Sequence, residues 1–314
     1  VKADLDVTVD LARDLLAEQH PDLAGLPLEL VANGWDNVIV RLGPRADGSQ
    51  LAVRLPRREV AAPLVRHEIE WLPVLAPRLP AAVPEPVRVG VPSVALGYPW
   101  AWSVVPWVPG RRASDVPVTE RRALAEPLAA FYLALHAPAP ADAPHNPVRG
   151  VPLCTRDIPV RGRVERGIVP DVDRVRVLWE RLVTAPAWTG RPLWLHGDPH
   201  AGNLVVSEDG TLAAVVDFGD MTSGDPATDL AAAWLVFDAA GRERFRHALA
   251  DRYPAGDPVW LRARGWALSI ATAMLESGPE NAWVHAMGTR ALAEVLREDR
   301  AVTPRRIGQS GANG

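Results

Sequence analysis

The chain has 314 residues, 48% of them apolar, which is enough for two packed lobes but too short for several independent domains. A net charge of −4, with acids and bases interspersed, gives no basic stripe and no reason to expect nucleic acid as a partner. Cys154 is the sole cysteine, no apolar run reaches the roughly 18–20 residues that span a membrane, and residues 1–20 lack the pattern of a secretory leader, so the expectation is a cytoplasmic globular protein.

Residues 7–19 have the spacing of a short amphipathic helix. Leu28 to Val31, Asn37 to Leu42 and Gln50 to Leu55 read as strands, with Gly43-Pro44-Arg45-Ala46-Asp47-Gly48 as the turn between the last two. Residues 58–76 read as a helix with Leu64, Trp71, Leu72 and Leu75 on one face and Pro73 placed to kink or split it. Val87 to Val89 and Trp100 to Val105 read as further strands, and Pro106 to Gly110 as a hinge. Trp100, Trp102 and Trp107 flank that hinge and read as packing between lobes.

Beyond the hinge the patterns turn helical. Thr119 to Leu135 is an amphipathic stretch interrupted by Pro127, residues 137–170 read as a long Pro-, Gly- and Arg-rich loop or substrate-side insertion, and Asp171 to Thr184 is a helix. A strand at Pro192 to Leu195 precedes a hairpin, Leu204 to Val206 and Leu212 to Val216, turning at Glu208-Asp209-Gly210. Asp225 reads as the N-cap of a helix running through Phe237, with Pro226 at its first position. Helices near 241–252, 258–276 and 280–299 follow, and 301–314 is expected to be a disordered tail. The reading is an α+β fold: a β-rich nucleotide-binding lobe at 1–105, a hinge at 106–110 and a helical catalytic and substrate-binding lobe at 111–300.

The residues that carry chemistry lie around the hairpin. His196-Gly197-Asp198-Pro199-His200-Ala201-Gly202-Asn203 is followed by Val216-Asp217-Phe218-Gly219. An Asp, an Asn five residues later and an Asp-Phe-Gly on the next strand is the spacing of a kinase catalytic loop. Asp198 can accept a substrate hydroxyl and take its proton, while Asn203 and Asp217 offer hard oxygen ligands to Mg²⁺. Asp217 ends the apolar strand Ala213 to Val216, where a lone charge is costly unless it binds a metal or is paired. His196 reads as structural, bonding nearby backbone to shape the loop, His200 stays open, and neither stands at metal-ligand spacing.

In the β-rich part, Ala52-Val53-Arg54 sits where kinases have an Ala-x-Lys strand. Ala52 and Arg54 share a strand face, so Ala52 can lie against a base while Arg54 points at phosphates. Lys2 is the sole lysine, and an arginine keeps the charge and can fork onto phosphate oxygens. Glu68 lies four residues from both Leu64 and Leu72, on the inward stripe of its helix, and is the expected partner of Arg54, whereas Glu70 points away. Gly34, in Asn33-Gly34-Trp35-Asp36-Asn37, takes the place of a glycine-rich phosphate loop.

Together with Gly224-Asp225-Pro226-Ala227-Thr228-Asp229-Leu230-Ala231, these motifs resemble the aminoglycoside phosphotransferase and choline kinase family over about residues 25–300. The resemblance implies a protein-kinase-like two-lobe fold, Asp198 as catalytic base, Asn203 and Asp217 as magnesium ligands and ATP or GTP as donor. Asp225 and Asp229 read as structural, one capping a helix and the other favouring its dipole. A polycationic acceptor calls for a cleft lined with carboxylates. Residues 145–176 instead carry Arg149, Arg156, Arg161, Arg163, Arg166, Arg174 and Arg176 against Asp157, Glu165, Asp171 and Asp173, while Asp220, Glu276 and Glu280 are scattered.

The acceptor is therefore expected to be a hydroxyl on a small antibiotic or metabolite, with an aminoglycoside not specifically indicated. A protein acceptor is not expected, because no Ala-Pro-Glu pattern follows Asp217-Phe218-Gly219. The rival from another class is a pseudokinase, which binds nucleotide without turnover. Arg54 and the single-glycine loop favour it, and the intact Asp198, Asn203 and Asp217 oppose it. A metal-dependent hydrolase built on the same acids would leave the upstream β-lobe unexplained.

Overall fold

The computed structural model describes residues 3–34, 36–277 and 281–300; Trp35, Glu280 and the tail at 301–314 lie outside them. The chain opens with α1 (Val9–Gln19), started by Thr8, whose Oγ1 accepts the Leu11 N–H at 3.1 Å. Then come β1 (Leu28–Asn33), β2 (Asn37–Leu42), β3 (Leu51–Pro56), α2 (Ala62–Leu75), β4 (Arg88–Gly90) and β5 (Trp102–Pro106). The strands form one antiparallel sheet in the order β1-β2-β3-β5-β4.

Alternation along β2 buries Val38, Val40 and Leu42 in one core with Leu15 and Leu16 of α1. Val53, Leu55, Trp102 and Val104 join that core, so the opposite face of β3 carries Ala52 and Arg54. The register places Arg54 between Ile39 and Ser103. Trp102 is thus a core residue of the small lobe and not a contact between lobes, because it points from β5 toward α1 and meets His20 edge-on at 5.3 Å. Trp107 lies instead against the Arg41 guanidinium, 5.7 Å from it.

The larger lobe comprises β6 (Arg111–Arg112), α3 (Ala125–Leu135), α4 (Asp157–Glu165), α5 (Val172–Leu182), β7 (Leu193–Leu195), β8 (Leu204–Val206), β9 (Leu212–Val215), β10 (Thr222–Gly224), α6 (Ala227–Leu230), α7 (Ala232–Leu235), α8 (Ala239–Ala248), α9 (Val259–Leu275) and α10 (Ala282–Arg300). Its core includes Phe131, Trp179, Trp234, Phe237, Phe245 and Trp266. Gly110 leads into β6 at φ +151°, and a Cβ there would fall 2.5 Å from the Val206 carbonyl oxygen, so the chain turns into this lobe at a point open only to glycine.

Several elements differ from the sequence expectation, each for a local reason. Pro127 does not interrupt a helix: α3 starts at Ala125 after a 3₁₀ segment at Glu120–Leu124, which leaves the proline in a first turn that needs no N–H. The 137–170 stretch is not all loop, since it holds α4. Of that helix only Val160 and Val164 are buried, too few for periodicity to show. The expected helix through Phe237 breaks into the two four-residue helices α6 and α7. The strand β10 is created by pairing with β7, Thr222 opposite Leu195, without an apolar pattern of its own.

The helix α2 belongs to both lobes. Glu68 points toward β3, whereas Leu72 and Leu75, with Val83, join the larger lobe's core. Ala82 then pairs with the hairpin, its carbonyl accepting the Val215 N–H at 2.9 Å. Pro73 is exposed in the last turn and leaves the helix unbroken.

Candidate active site

The loop between β7 and β8 is held by buried polar groups beneath it. Asp229, with no exposed surface, accepts the His196 and Gly197 N–H groups, each at 2.9 Å. His136 meets the same carboxylate through Nε2 at 3.2 Å and takes the Tyr253 hydroxyl on Nδ1 at 2.9 Å. Asp229 therefore anchors the loop's backbone, a structural role more specific than favouring a helix dipole. Asp225 accepts the Ala227 N–H at 3.0 Å and is gripped by Arg262 at 2.6 and 3.2 Å. Gly197 sits at φ +89°, and a Cβ there would lie 2.2 Å from the Asp220 carbonyl oxygen. Only glycine fits this loop's close approach to the segment after β9.

His196 shapes the loop from inside. Its Nε2 donates to the Val216 carbonyl at 2.9 Å, its Nδ1 accepts the Asp198 N–H at 3.2 Å, and its ring lies 4.6 Å from Phe218. Asp198 is then oriented from several sides. The Asn203 side-chain N–H group donates to its carbonyl at 3.0 Å and to its Oδ2 at 3.1 Å. His200 accepts the Gly202 N–H on Nδ1 at 3.1 Å, which leaves the Nε2 proton facing Asp198 Oδ2 at 3.0 Å. Arg149 approaches the other oxygen, Oδ1, at 3.6 Å. Burial alone would raise the Asp198 pKa, but His200, Arg149 and His196 outweigh it and hold the carboxyl well below the usual carboxylate range. Burial also works against protonating His200, yet Asp198 raises it above the ordinary imidazole value.

Asn203 and Asp217 are brought together by the hairpin. The Val216 N–H donates to the Asn203 carbonyl at 2.9 Å, beside the Leu204–Val215 pair of β8 and β9. Asp217 then adopts left-handed backbone angles, φ 64° and ψ 71°, a conformation that Asp tolerates better than most residues. That kink corrects the sequence argument about Asp217. Its side chain is not a charge buried at a strand end; it swings out, exposed, and forms no hydrogen bond or ion pair among the described residues. Asn203 spends its N–H group on Asp198 and keeps its side-chain oxygen for another partner. An exposed carboxylate and an amide oxygen on adjoining hairpin ends form a donor set that fits a hard cation.

The β3 side of the cleft is tied to the same place. Arg54 Nη1 pairs with Glu68 Oε1 at 2.9 Å, and both residues are nearly buried, with 6% and 2% exposure. Glu68 Oε1 also accepts the Phe218 N–H at 3.0 Å, so α2 grips the residue that follows Asp217. Burial pushes the Glu68 carboxyl up against the pull of Arg54. Arg54 Nε is buried without a partner among the described residues, an orphan donor that a phosphate oxygen would satisfy. Ala52 lies on the same face, next to Arg41 of β2 and Val105 of β5. Gly34 closes a turn by donating its N–H to the Asn37 carbonyl at 3.0 Å, and its own carbonyl accepts from Arg57 at 3.2 Å.

The fold adds Asp36, Asn146, Arg112 and Trp283, which the sequence reading does not single out, and it joins Arg149 and Asp220, which that reading names only as part of an arginine excess and as a scattered carboxylate. Asp36 pairs with Arg58 at 2.9 Å; burial raises its pKa, and Asp217, within electrostatic reach, adds to that. Arg149 stands between Asp198 and Asp220, 3.3 Å from the latter, and Asn146 donates to Asp220 at 2.8 Å. Trp283 of α10 packs so close to Gly202 that a Cβ there would meet its ring at 2.9 Å, and Arg112 stacks on the same ring at 4.8 Å. These residues come from segments far apart in the chain, and no local spacing marks them. Glu276, by contrast, is taken up by Arg163 and Arg166 and is no free acidic wall.

No curated protein matches this chain. Solved structures do match it in fold. The GDP complex of wild-type aminoglycoside 2'-phosphotransferase-IIIa superposes with a TM-score of 0.66 at 19% identity, over 94% of this chain and 99% of that one. Macrolide 2'-phosphotransferase type I superposes with a TM-score of 0.59 at 21% identity, over 93% and 99%. The macrolide 2'-phosphotransferase MphH of Brachybacterium faecium does so with 0.57 at 23% identity, over 90% and 98%. These likenesses confirm the kinase-like α+β architecture of two lobes. Residues 27–266, which span both sides of the cleft, match the sequence profile of the phosphotransferase enzyme family, and the chain belongs to that family.

Proposed function

We propose that this protein transfers the γ-phosphate of ATP or GTP to a hydroxyl group of a small molecule, in a cytoplasmic setting. The observation that carries the reading is the junction of the two half-sites at the hairpin. Asp198, held on Asn203, sits on one side, and the Arg54–Glu68 pair reaches Phe218, next to the free Asp217 carboxylate, on the other. Asp198, kept ionised by its neighbours, accepts the hydroxyl proton as the acceptor oxygen bonds to the γ-phosphorus and the bond to the β-bridging oxygen breaks. Arg54 holds phosphate oxygens through its fork, with Glu68 fixing its direction. Ala52 presents a small side chain to the base, and the Gly34 turn covers the phosphates. Asn203 and Asp217 would hold Mg²⁺, which supplies charge neutralisation to the triphosphate when bound.

Arginine in the place of the usual lysine does not turn the reading toward a pseudokinase, since Arg54 makes the ion pair to Glu68 that the position requires. The test is a mass-shift screen with Mg²⁺, ATP or GTP, and panels of aminoglycosides, macrolides, amino alcohols and sugars. A gain of one phosphate that vanishes in Asp198→Ala is expected, with kcat reduced roughly 10²–10⁴-fold. Nucleotide binding without transfer to any acceptor, in wild type and variant alike, would instead make this a binding module.

A further inference from the structure

Residues 144–150 form a fixed wall of the site. Thr222 Oγ1 accepts the Asn146 N–H and donates to the Pro144 carbonyl, both at 3.0 Å. The Gly150 N–H donates to Thr228 Oγ1 at 3.1 Å, and its carbonyl accepts the Asp225 N–H at 3.0 Å. This anchoring presents Arg149 to Asp198 Oδ1, whereas Asn203 and His200 both occupy Oδ2. Arg149 therefore marks the side of the carboxylate turned away from Asn203, the side on which an acceptor hydroxyl has to arrive.

More guanidiniums lie beyond it. Arg156 immediately precedes α4, and Arg163 follows seven residues later, two turns along the same helix face. Arg156 lies within electrostatic reach of both Arg149 and Arg163, and burial together with these like charges lowers its pKa. Arg163 is answered by Glu276 at 2.6 Å, but that carboxylate is shared with Arg166. Arg156 is half-buried and has no hydrogen bond or ion pair among the described residues. Arg149 Nε is buried and unpartnered among the described residues as well. Three guanidiniums, those of Arg149, Arg163 and Arg166, take up the carboxylates of Asp198, Asp220 and Glu276, and Arg156, within reach of two of them, is left without one among the described residues. Like charges gathered around a half-buried, unpaired arginine are unfavourable until an anion completes the set.

On the phosphotransferase reading above, we infer that the acceptor carries an anionic group, a phosphate or a carboxylate, which seats on Arg156 beside Arg149 and Arg163 while its hydroxyl reaches Asp198. Atoms balance as before: the acceptor oxygen gains the phosphoryl group, its proton goes to Asp198, and the nucleoside diphosphate leaves. A polycationic acceptor would meet the same guanidiniums with like-charge repulsion.

The experiment uses the full chain with Mg²⁺. Glucose, glucose 6-phosphate and glucuronate form one matched set, glycerol, glycerol 3-phosphate and glycerate a smaller one, and kanamycin is the polycation. Binding is read by calorimetry with Mg-ADP present, and transfer by mass gain with ATP. The anionic members are expected to bind at least tenfold more tightly than their neutral relatives, and phosphate against carboxylate preference separates the two anion types. R156Q should remove most of that preference, roughly tenfold to a hundredfold, and R156K should restore part of it. An unchanged unfolding midpoint and Mg-ADP affinity would show that R156Q is folded. Equal binding of neutral and anionic probes, a preference for kanamycin, or a preference untouched by R156Q would overturn the inference. Asp198-dependent transfer to glucose, glycerol or kanamycin in that case would leave the kinase reading standing, whereas absence of Mg-ADP binding would remove both.

Discussion

The two sides of the cleft handle charge differently. On the β3 side, Arg54 and Glu68 face each other one to one, almost without solvent, and Glu68 also takes a backbone N–H. On the 144–150 side, Arg149 is shared between Asp198 and Asp220, and each of these three side chains keeps about a fifth to a third of its surface exposed. A closed pair would suit a ligand part that never changes, such as the triphosphate of the proposed donor. An open, arginine-weighted cluster leaves room for a ligand that differs between relatives.

Glu68→Ala should break the closed side. It would leave the Arg54 guanidinium buried without its carboxylate and the Phe218 N–H without an acceptor. Removing one partner of such a pair costs about 3–5 kcal/mol, which urea denaturation would read directly. A loss under about 1 kcal/mol would show that water reaches Arg54 and that this side is not closed. Arg54→Met combined with Glu68→Leu should be much less harmful to stability than either change alone, while nucleotide affinity is lost.

The open side predicts a pH dependence in addition. The folded-state pKa of Asp198 is depressed, so its ionised form contributes stability that is fully present above the unfolded-state pKa of about 3.9. That contribution fades as pH falls through and below this value. Between pH 7 and 5 the gap between wild type and Asp198→Asn also carries the raised pKa of His200, so the Asp198 part is read below pH 5, where the gap should narrow toward pH 3. A gap that widened between pH 5 and pH 3 would reverse the sign and mean that Asp198 is protonated in the folded protein. Arg149→Gln should cost less than about 1 kcal/mol in stability, because its partners remain partly solvated. Its effect should fall on the acceptor KM with the nucleotide KM unchanged, the reverse of Glu68→Ala.

What the sequence made legible follows the same division. Asp198, Asn203 and Asp217 are legible as a group because a hairpin joins them at fixed spacing, and Arg54 with Glu68 as a pair because strand and helix periods set their faces. The β2 strand and the β8 strand lie where alternation placed them. Arg149, Asn146 and Asp220 became a unit through Thr222, Thr228 and Asp225, contacts between segments over seventy residues apart that no period encodes. The α4 helix was hidden because two buried valines carry its packing. Trp102 was misplaced because hydrophobicity tells that a strand is buried but not which of its faces meets which lobe.

The smallest effect concerns Gly34, which sequence reading treated as a phosphate-loop glycine. Its backbone does not occupy the left-handed region, so glycine is not required there for conformation. Among the described residues the one close neighbour of a Cβ at that point would be the Asn37 carbonyl oxygen, at 3.1 Å, and a shift of a few tenths of an ångström relieves it. Gly34→Ala should thus change stability by less than about 1 kcal/mol in either direction, the loss of chain entropy in the unfolded state offsetting the contact. If the turn covers the phosphates only loosely, nucleotide affinity should fall no more than about threefold, under 1 kcal/mol. A tenfold loss of Mg-ATP affinity at unchanged stability would have a single physical source: the Gly34 backbone approaches the phosphates so closely that even a methyl group intrudes. The small lobe would then hold the triphosphate at the Gly34 turn as well as at the proposed Arg54 contact, and the closed half of the cleft would extend to its roof.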